Sequence, residues 1–149
     1  MRARKTSREK LETVQERRLI DTPKGKMLIP KPLDVDALMR TIPRGELATV
    51  AQIRDRLAKD CHADYACPMT TGIFIRIAAE AAEEDLKKGE RQVTPYWRVV
   101  RNDGSLNEKF PGGVEAQVAR LREEGHTIEQ SRGKGPLRLR EFERSLAKL

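Results

Sequence analysis

VTPYWRVVRNDGSLNEKFPGG, residues 93–113, reads as a short buried strand entered through Pro95, an Asn102-Asp103-Gly104 turn, and a loop closed by Pro111-Gly112-Gly113. Two large aromatics, Tyr96 and Trp97, stand side by side after the proline in a chain that has six aromatic residues in all. Helices flank this stretch. Upstream, Asp34 reads as the N-cap of a helix through Ala37, Leu38 and Met39, and Ile42-Pro43-Arg44-Gly45 reads as a turn. Thr49 then caps a helix with Val50, Ile53 and Leu57 on one face, followed by a polar loop over residues 59–66. Pro68 opens a third helix, capped by Thr70 or Thr71 and ended by Gly89; its expected buried set is Ile73, Phe74, Ile77, Ala78, Ala81 and Leu86. Downstream, residues 114–124 form a helix with Val118 and Leu121 inward and Gly125 past its end. Residues 127–142 form a hairpin turning at Gly133-Lys134-Gly135. Two helices joined by a loop, then a hairpin, make a winged helix-turn-helix pattern in an α+β, mostly helical chain.

Ahead of these elements, residues 6–20 start with a capping box, Thr6 and Glu9. They continue as a charged helix with a thin apolar side of Leu11, Val14, Leu19 and Ile20. Residues 24–30 are extended and Lys31-Pro32 is a linker. The expected organisation is a basic N-terminal extension over 1–32 with a short helix and strand, a domain over 33–142, and a tail over 143–149. A length of 149 residues suits one domain with a small appendage, and 38% hydrophobic against 36% charged residues suits a modest core under a charged surface. No apolar run approaches the roughly 18 residues of a membrane span, and the basic N-terminus lacks the apolar centre of a secretory signal. Two cysteines make no disulfide framework, so the expected setting is reducing and cytoplasmic. The net charge of +7 is uneven: residues 1–26 hold nine Lys and Arg against four acids, residues 131–149 hold six against two, and the middle is slightly acidic. Basic ends suit arms lying on a phosphate backbone, or solvated tails that aid solubility.

Three blocks in order are more specific. Ile42-Pro43-Arg44-Gly45-Glu46-Leu47-Ala48-Thr49 is followed four residues on by Ile53. Pro95-Tyr96-Trp97-Arg98-Val99-Val100 precedes Asp103-Gly104. Pro111-Gly112-Gly113 is followed, after one helix, by Glu124-Gly125-His126. Together they resemble the DNA-binding domain of the O6-alkylguanine-DNA alkyltransferase family, with its IPxG turn, PCHRV site and EG(H) after the last helix. The resemblance covers residues 34–142 and implies that family's winged helix-turn-helix-like C-terminal domain. The family's nucleophilic cysteine falls on Tyr96 and its activating histidine on Trp97, while Glu124 takes the place of the orienting carboxylate. Alkyl transfer needs a thiolate made by a neighbouring base. A phenol with an ordinary pKa near ~10 and a donor-only indole do not supply that pair. The chain is therefore similar to the alkyltransferase-like proteins, which lack the cysteine, bind alkylated DNA and hand it to other repair factors. That likeness implies a non-enzymatic monomer with double-stranded DNA, alkylated or distorted, as its partner, other repair proteins downstream, and no cofactor. Three departures stand out. A tyrosine–tryptophan pair replaces the usual tryptophan–histidine. Val50 stands where the family has its base-flipping tyrosine. The intercalating arginine falls on Gly72 if Pro68 anchors the register, or on Arg76 if residues 60–67 are an insertion.

Thr70, Thr71, Gly72 and Arg76 are the expected groove contacts, since Glu80, Glu83, Glu84 and Asp85 turn the second half of that helix away from phosphate. Arg132 and Lys134, with Arg138 and Arg140, are backbone contacts of the hairpin or part of a solvated wing. Tyr96, Trp97, Pro111, Gly112 and Gly113 line the expected lesion pocket, where rings stack on an extruded base. The alternative is that Tyr96 plugs the pocket and Trp97 belongs to the core. Arg98 is expected to pair internally. Cys61, His62 and Cys67 lack a fourth ligand, so no metal is expected. Cys67 lies just before a helix N-terminus, which leaves a methyltransferase using Cys67 beside the reading as an inert thiol. Reuse of the fold as a generic DNA-binding or protein-interaction module, without lesion recognition, completes the readings.

Overall fold

The computed structural model describes residues 6–12, 16–130 and 135–149. In chain order these form α1 (Ser7–Glu12), β1 (Arg18–Thr22), β2 (Gly25–Ile29), α2 (Pro32–Met39), β3 (Ala48–Thr49), α3 (Val50–Asp60), β4 (Tyr65–Ala66) and α4 (Pro68–Lys87). A 3-10 turn at Tyr96–Arg98, β5 (Val99–Val100), α5 (Gly113–Glu123), β6 (Ile128–Gln130), β7 (Leu137–Leu139) and a last 3-10 turn at Phe142–Ser145 follow.

The 20-residue α4 is the spine. Pro68 occupies its first turn as expected, because an N-terminal helical position needs no N–H donor. The flanking residue is Cys67, however, not Thr70 or Thr71. Starting there rotates the inward stripe onto Thr71, Phe74, Ile75, Ala78, Ala81, Ala82 and Asp85. Ile73, expected inside, is 47% exposed, and Thr71, expected outside, is fully buried. The alanines keep this face narrow enough for α1 and α2 to pack against it.

α3 begins as read from the sequence. The Thr49 hydroxyl accepts the Gln52 N–H at 3.1 Å, and the Gln52 carbonyl oxygen accepts the Thr49 N–H at 2.9 Å. α2 starts three residues early: Lys31 is its N-cap, Pro32 sits in its first turn, and Asp34, the expected cap, instead accepts from Arg17 at 2.6 Å. The larger correction concerns residues 6–20. The helix is over by Glu12, and the chain runs back as β1, antiparallel to β2 with Leu19 opposite Leu28. Val14 lies outside the described residues. A thin apolar stripe supports one short helix, whereas Leu19 and Ile20 close a hairpin across Gly25, whose φ of +119° suits a residue without Cβ. β2 then pairs in parallel with β4 after α3.

α1 is docked on the acidic half of α4. Glu84 accepts the backbone N–H groups of Ser7 and Arg8, Glu80 accepts the Ser7 hydroxyl, and Asp85 pairs with the Arg8 guanidinium. These bonds satisfy first-turn donors that a six-residue helix leaves open. Leu11 is buried in the same core cluster as Leu28, Met39 and Ile53. At the other end, Leu146 bridges in parallel to Leu47, so the tail extends the pairing of β3 with β5. The β6–β7 hairpin is present, with Ile128 opposite Leu139.

Candidate nucleic-acid interface

The turn at Tyr96–Arg98 points its first ring into the core. Tyr96 is 0% exposed, held edge-on between Trp97 and Phe110 with centroid distances of 5.4 Å to each, and its hydroxyl donates to Glu83 Oε1 at 2.5 Å. Burial, then the Glu83 bond and charge, push the phenol pKa well above its ordinary 10.0, with Arg120 opposing in part. The Trp97 indole N–H donates to Glu124 Oε2 at 2.7 Å. The same carboxylate accepts from Arg98 Nε at 2.9 Å and from the Gly45 N–H at 3.0 Å, while Arg98 Nη1 donates to the Ile42 carbonyl at 2.7 Å. The Ile42–Gly45 turn, Arg98 and Glu124 thus form one closed knot, and Arg98 pairs internally as expected. Burial raises the Glu124 pKa, but bonds from Arg98, Gly45 and Trp97 outweigh it and hold the carboxyl below its usual range. Beside it, burial lowers the His126 pKa against the raising charge of Glu124.

Gln117 was not singled out by its sequence neighbourhood. It is fully buried, donates to the carbonyls of Trp97 and Val99 at 3.2 and 3.0 Å, and accepts the Asn107 N–H at 3.0 Å. Its place one turn before Leu121 on the inward face of α5 was the available signal.

On the far side of α3 and α4 lies an open cleft of about 380 Å³. α4 contributes Gly72, Met69, Ile73 and Arg76, α3 contributes Val50, and the loop after β5 contributes Arg101 and Lys109. Met69 is 75% exposed, and with Ile73 it makes an apolar ridge at i, i+4. Arg76 and Arg101 rest loosely on Glu80 and Glu108, at 3.8 and 3.5 Å. Of the four expected contacts on α4, Gly72 and Arg76 reach this cleft. Thr71 faces the core, and the Thr70 hydroxyl donates to Cys67 Sγ at 3.2 Å. Both candidates for the intercalating-arginine position therefore line one opening, one turn apart.

Pro111, Gly112 and Gly113 lead into α5 and line neither this cleft nor the Trp97 side. A Cβ on Gly112 would come within 2.7 Å of the Ala116 Cβ, so that glycine serves the turn. Tyr96 also lines neither, and its ring is fully buried. Arg132 and Lys134 lie outside the described residues. Glu80, Glu83, Glu84 and Asp85 all take donors from Ser7, Arg8, Tyr96 or Arg120. Cys67 is half-buried; burial raises its pKa, but the Thr70 hydroxyl, the amides of Thr70 and Met69, and the charge of Arg54 bring it below its ordinary value. Among the described residues no group of three His, Cys, Asp or Glu is placed to hold a metal ion, and no helix is long and apolar enough to cross a membrane.

No protein-family model and no curated protein matches the chain in sequence. Solved structures match it in three dimensions. One is Schizosaccharomyces pombe Atl1 in complex with damaged DNA containing O6-carboxymethylguanine: TM-score 0.54, 21% identity, covering 79% of this chain and 94% of that one. The fold is similar to that of Atl1. A second structure, S. pombe ATL in complex with DNA, gives a TM-score of 0.55 at 19% identity over the same shares of both chains. Atl1 is an alkyltransferase-like protein. The α+β architecture expected from the three sequence blocks is thus shared with Atl1, at an identity too low to carry residue roles across.

Proposed function

We propose that the protein is a non-enzymatic, alkyltransferase-like DNA-binding protein that recognises alkylated or distorted duplex DNA. The observation that carries this reading is the α4 cleft, where Arg76, Arg101 and Lys109 surround an exposed apolar ridge in a fold similar to that of a protein solved on damaged DNA. Cations at this rim neutralise backbone phosphates and release counterions. Met69 and Ile73 then press between base steps, which cost less to open where a lesion has already weakened pairing or stacking. Val50 brings no ring to the opening, so the ridge takes the part that the resemblance gives to a tyrosine. In this reading α3 and α4 form the helix-turn-helix, the β6–β7 hairpin is its wing, Arg132 and Lys134 reach the backbone, and a monomer hands the site to other repair proteins.

Alkyl transfer does not fit the centre. The Tyr96 hydroxyl is fixed as a donor to Glu83, and the Trp97 N–H is fixed to Glu124, so neither a nucleophile nor a base faces a substrate. Incubation with O6-methylguanine duplex is expected to leave Cys67 without a methyl adduct by intact-mass spectrometry; an adduct there would restore the enzymatic reading. A DNA-binding module without lesion preference is the second reading, favoured by the complete burial of Tyr96. The deciding experiment titrates labelled duplexes with and without O6-alkylguanine across a salt series. Tighter binding of the modified duplex is expected. Equal affinities would select the second reading, and the absence of salt-dependent binding would remove DNA as the partner.

A further inference from the structure

A second cleft, of about 520 Å³, lies on the Trp97 side of the molecule, between the Ile42–Gly45 turn, the loop after α4, and α5. Five arginines line it: Arg40, Arg44, Arg91, Arg98 and Arg120. They come from four separate segments of a chain whose middle is slightly acidic overall, so the concentration is a product of folding. Glu123 and Glu124 are the acids of the lining, and Glu124 is already taken up by Arg98, Trp97 and Gly45. Along α4, the cleft-lining Leu86 lies 14 residues from Gly72, which is about 21 Å at ~1.5 Å per residue. The two clefts therefore stand near opposite ends of that helix.

Three of the arginines have carboxylate partners, and each partner is shared. Asp36 accepts from Arg40 and from the Thr94 hydroxyl; Glu83 accepts from Arg120 and from the Tyr96 hydroxyl. Arg40 uses only Nε on Asp36, and Arg120 only Nη2 on Glu83. Arg44 donates to the Glu123 backbone carbonyl at 3.3 Å, and neither it nor Arg91 has a carboxylate partner among the described residues. Unused guanidinium donors thus share one concave space floored by Val93, Pro95 and Trp97, an apolar floor that strengthens their field. Guanidinium forks match phosphate oxygens in geometry and charge. The volume falls in the range of small-ligand sites, roughly 300–1,000 Å³.

We propose that this arginine-lined cleft binds a phosphate group, with Arg44 and Arg91 as the principal donors and Arg40 and Arg120 completing the cradle. The phosphate comes either from a free phosphate-bearing molecule or from the backbone of a bound duplex that curves past the α4 cleft. The site itself is independent of the DNA reading, because the free-phosphate arm of the test contains no nucleic acid.

Trp97 is the single tryptophan of the chain and lies in the lining, with the Arg120 guanidinium 4.6 Å from its ring centroid. An anion that draws Arg120 off the ring changes tryptophan emission. Titration of the whole protein with pyrophosphate at low ionic strength is expected to give a saturable change in that emission. The Arg44→Ala/Arg91→Ala variant, which touches no buried ion pair, is expected to keep its melting temperature without ligand and to bind pyrophosphate about tenfold or more weakly. A wild-type protein without a saturable response, or a variant with an unchanged one, would overturn the proposal. The two sources separate on duplex DNA. If the phosphate belongs to the backbone, the same variant lowers the salt slope of DNA binding by about 1 per lost contact and pyrophosphate competes with the duplex. If the ligand is free, DNA affinity is unaffected by the variant.

Discussion

Tyr96, Trp97 and Glu124 stand where the resemblance puts a reaction centre, and each is held by bonds inside the protein. Each polar atom of the trio is committed to a neighbour inside the protein, so the carboxylate that the resemblance casts as an orienter now holds an indole and an arginine. Glu124→Gln removes the charge facing the half-buried Arg98 and is expected to cost about 3 kcal/mol in urea unfolding. It also changes the acid limb. The folded pKa of Glu124 lies below its ordinary 4.5, so its stabilisation is complete above that value and is lost as pH falls through the folded one. The variant should therefore show a flatter decline in stability below pH ~4.5 than the native chain. Alkaline absorbance titration of the Tyr65→Phe chain, which leaves Tyr96 as the only tyrosine, should show no phenolate at pH 10, where a free phenol is half ionised. Gly72 illustrates the opposite situation. Nothing lies within 4 Å of a Cβ built there, so Gly72→Ala should raise stability by about 0.5–1 kcal/mol, read as a higher melting temperature.

Among the elements, α4 was legible in type, in its first-turn Pro68 and in its end at Gly89, yet its N-cap and its rotation were not. A run such as Gly72-Ile73-Phe74-Ile75-Arg76-Ile77 offers two apolar stripes, and only packing against α1 and α2 selected Phe74 and Ile75 over Ile73. The Thr49 cap of α3 was legible because its partner, the Gln52 N–H, is local; the structure adds the return bond from Gln52 that completes a capping box. The β1–β2 hairpin was hidden because its register is confirmed by β4, some 40 residues on in sequence. α1 has too few apolar residues to be stable alone, and its docking rests on Leu11 and the acids of α4. Leu11→Ala should thus cost about 2–5 kcal/mol in a single cooperative unfolding transition; a change below ~0.5 kcal/mol would mark α1 as a loosely held arm.

At the scale of the whole molecule, the acids of α4 are turned toward α1 and the Tyr96 centre, while Arg76, Arg101 and Lys109 rim the opposite cleft. On the proposed function, Arg101→Ala/Lys109→Ala should weaken DNA binding uniformly across sequences and reduce the salt slope by about 2. Met69→Ser/Ile73→Ser should leave that slope intact while lowering affinity and abolishing duplex bending in an energy-transfer assay, because phosphate neutralisation and wedging are separate contributions. The sequence by itself determined the first-turn Pro68 and the Gly89 end of α4, the Thr49 cap of α3, and the hairpin near Ile128. All of these are written in residues close together in the chain. Only the tertiary structure decided that Tyr96 fills its own space, that Glu80, Glu84 and Asp85 hold α1, and that five arginines from four separate segments face one cleft. Those outcomes depend on contacts between distant segments, where burial and charge pairing override any local pattern.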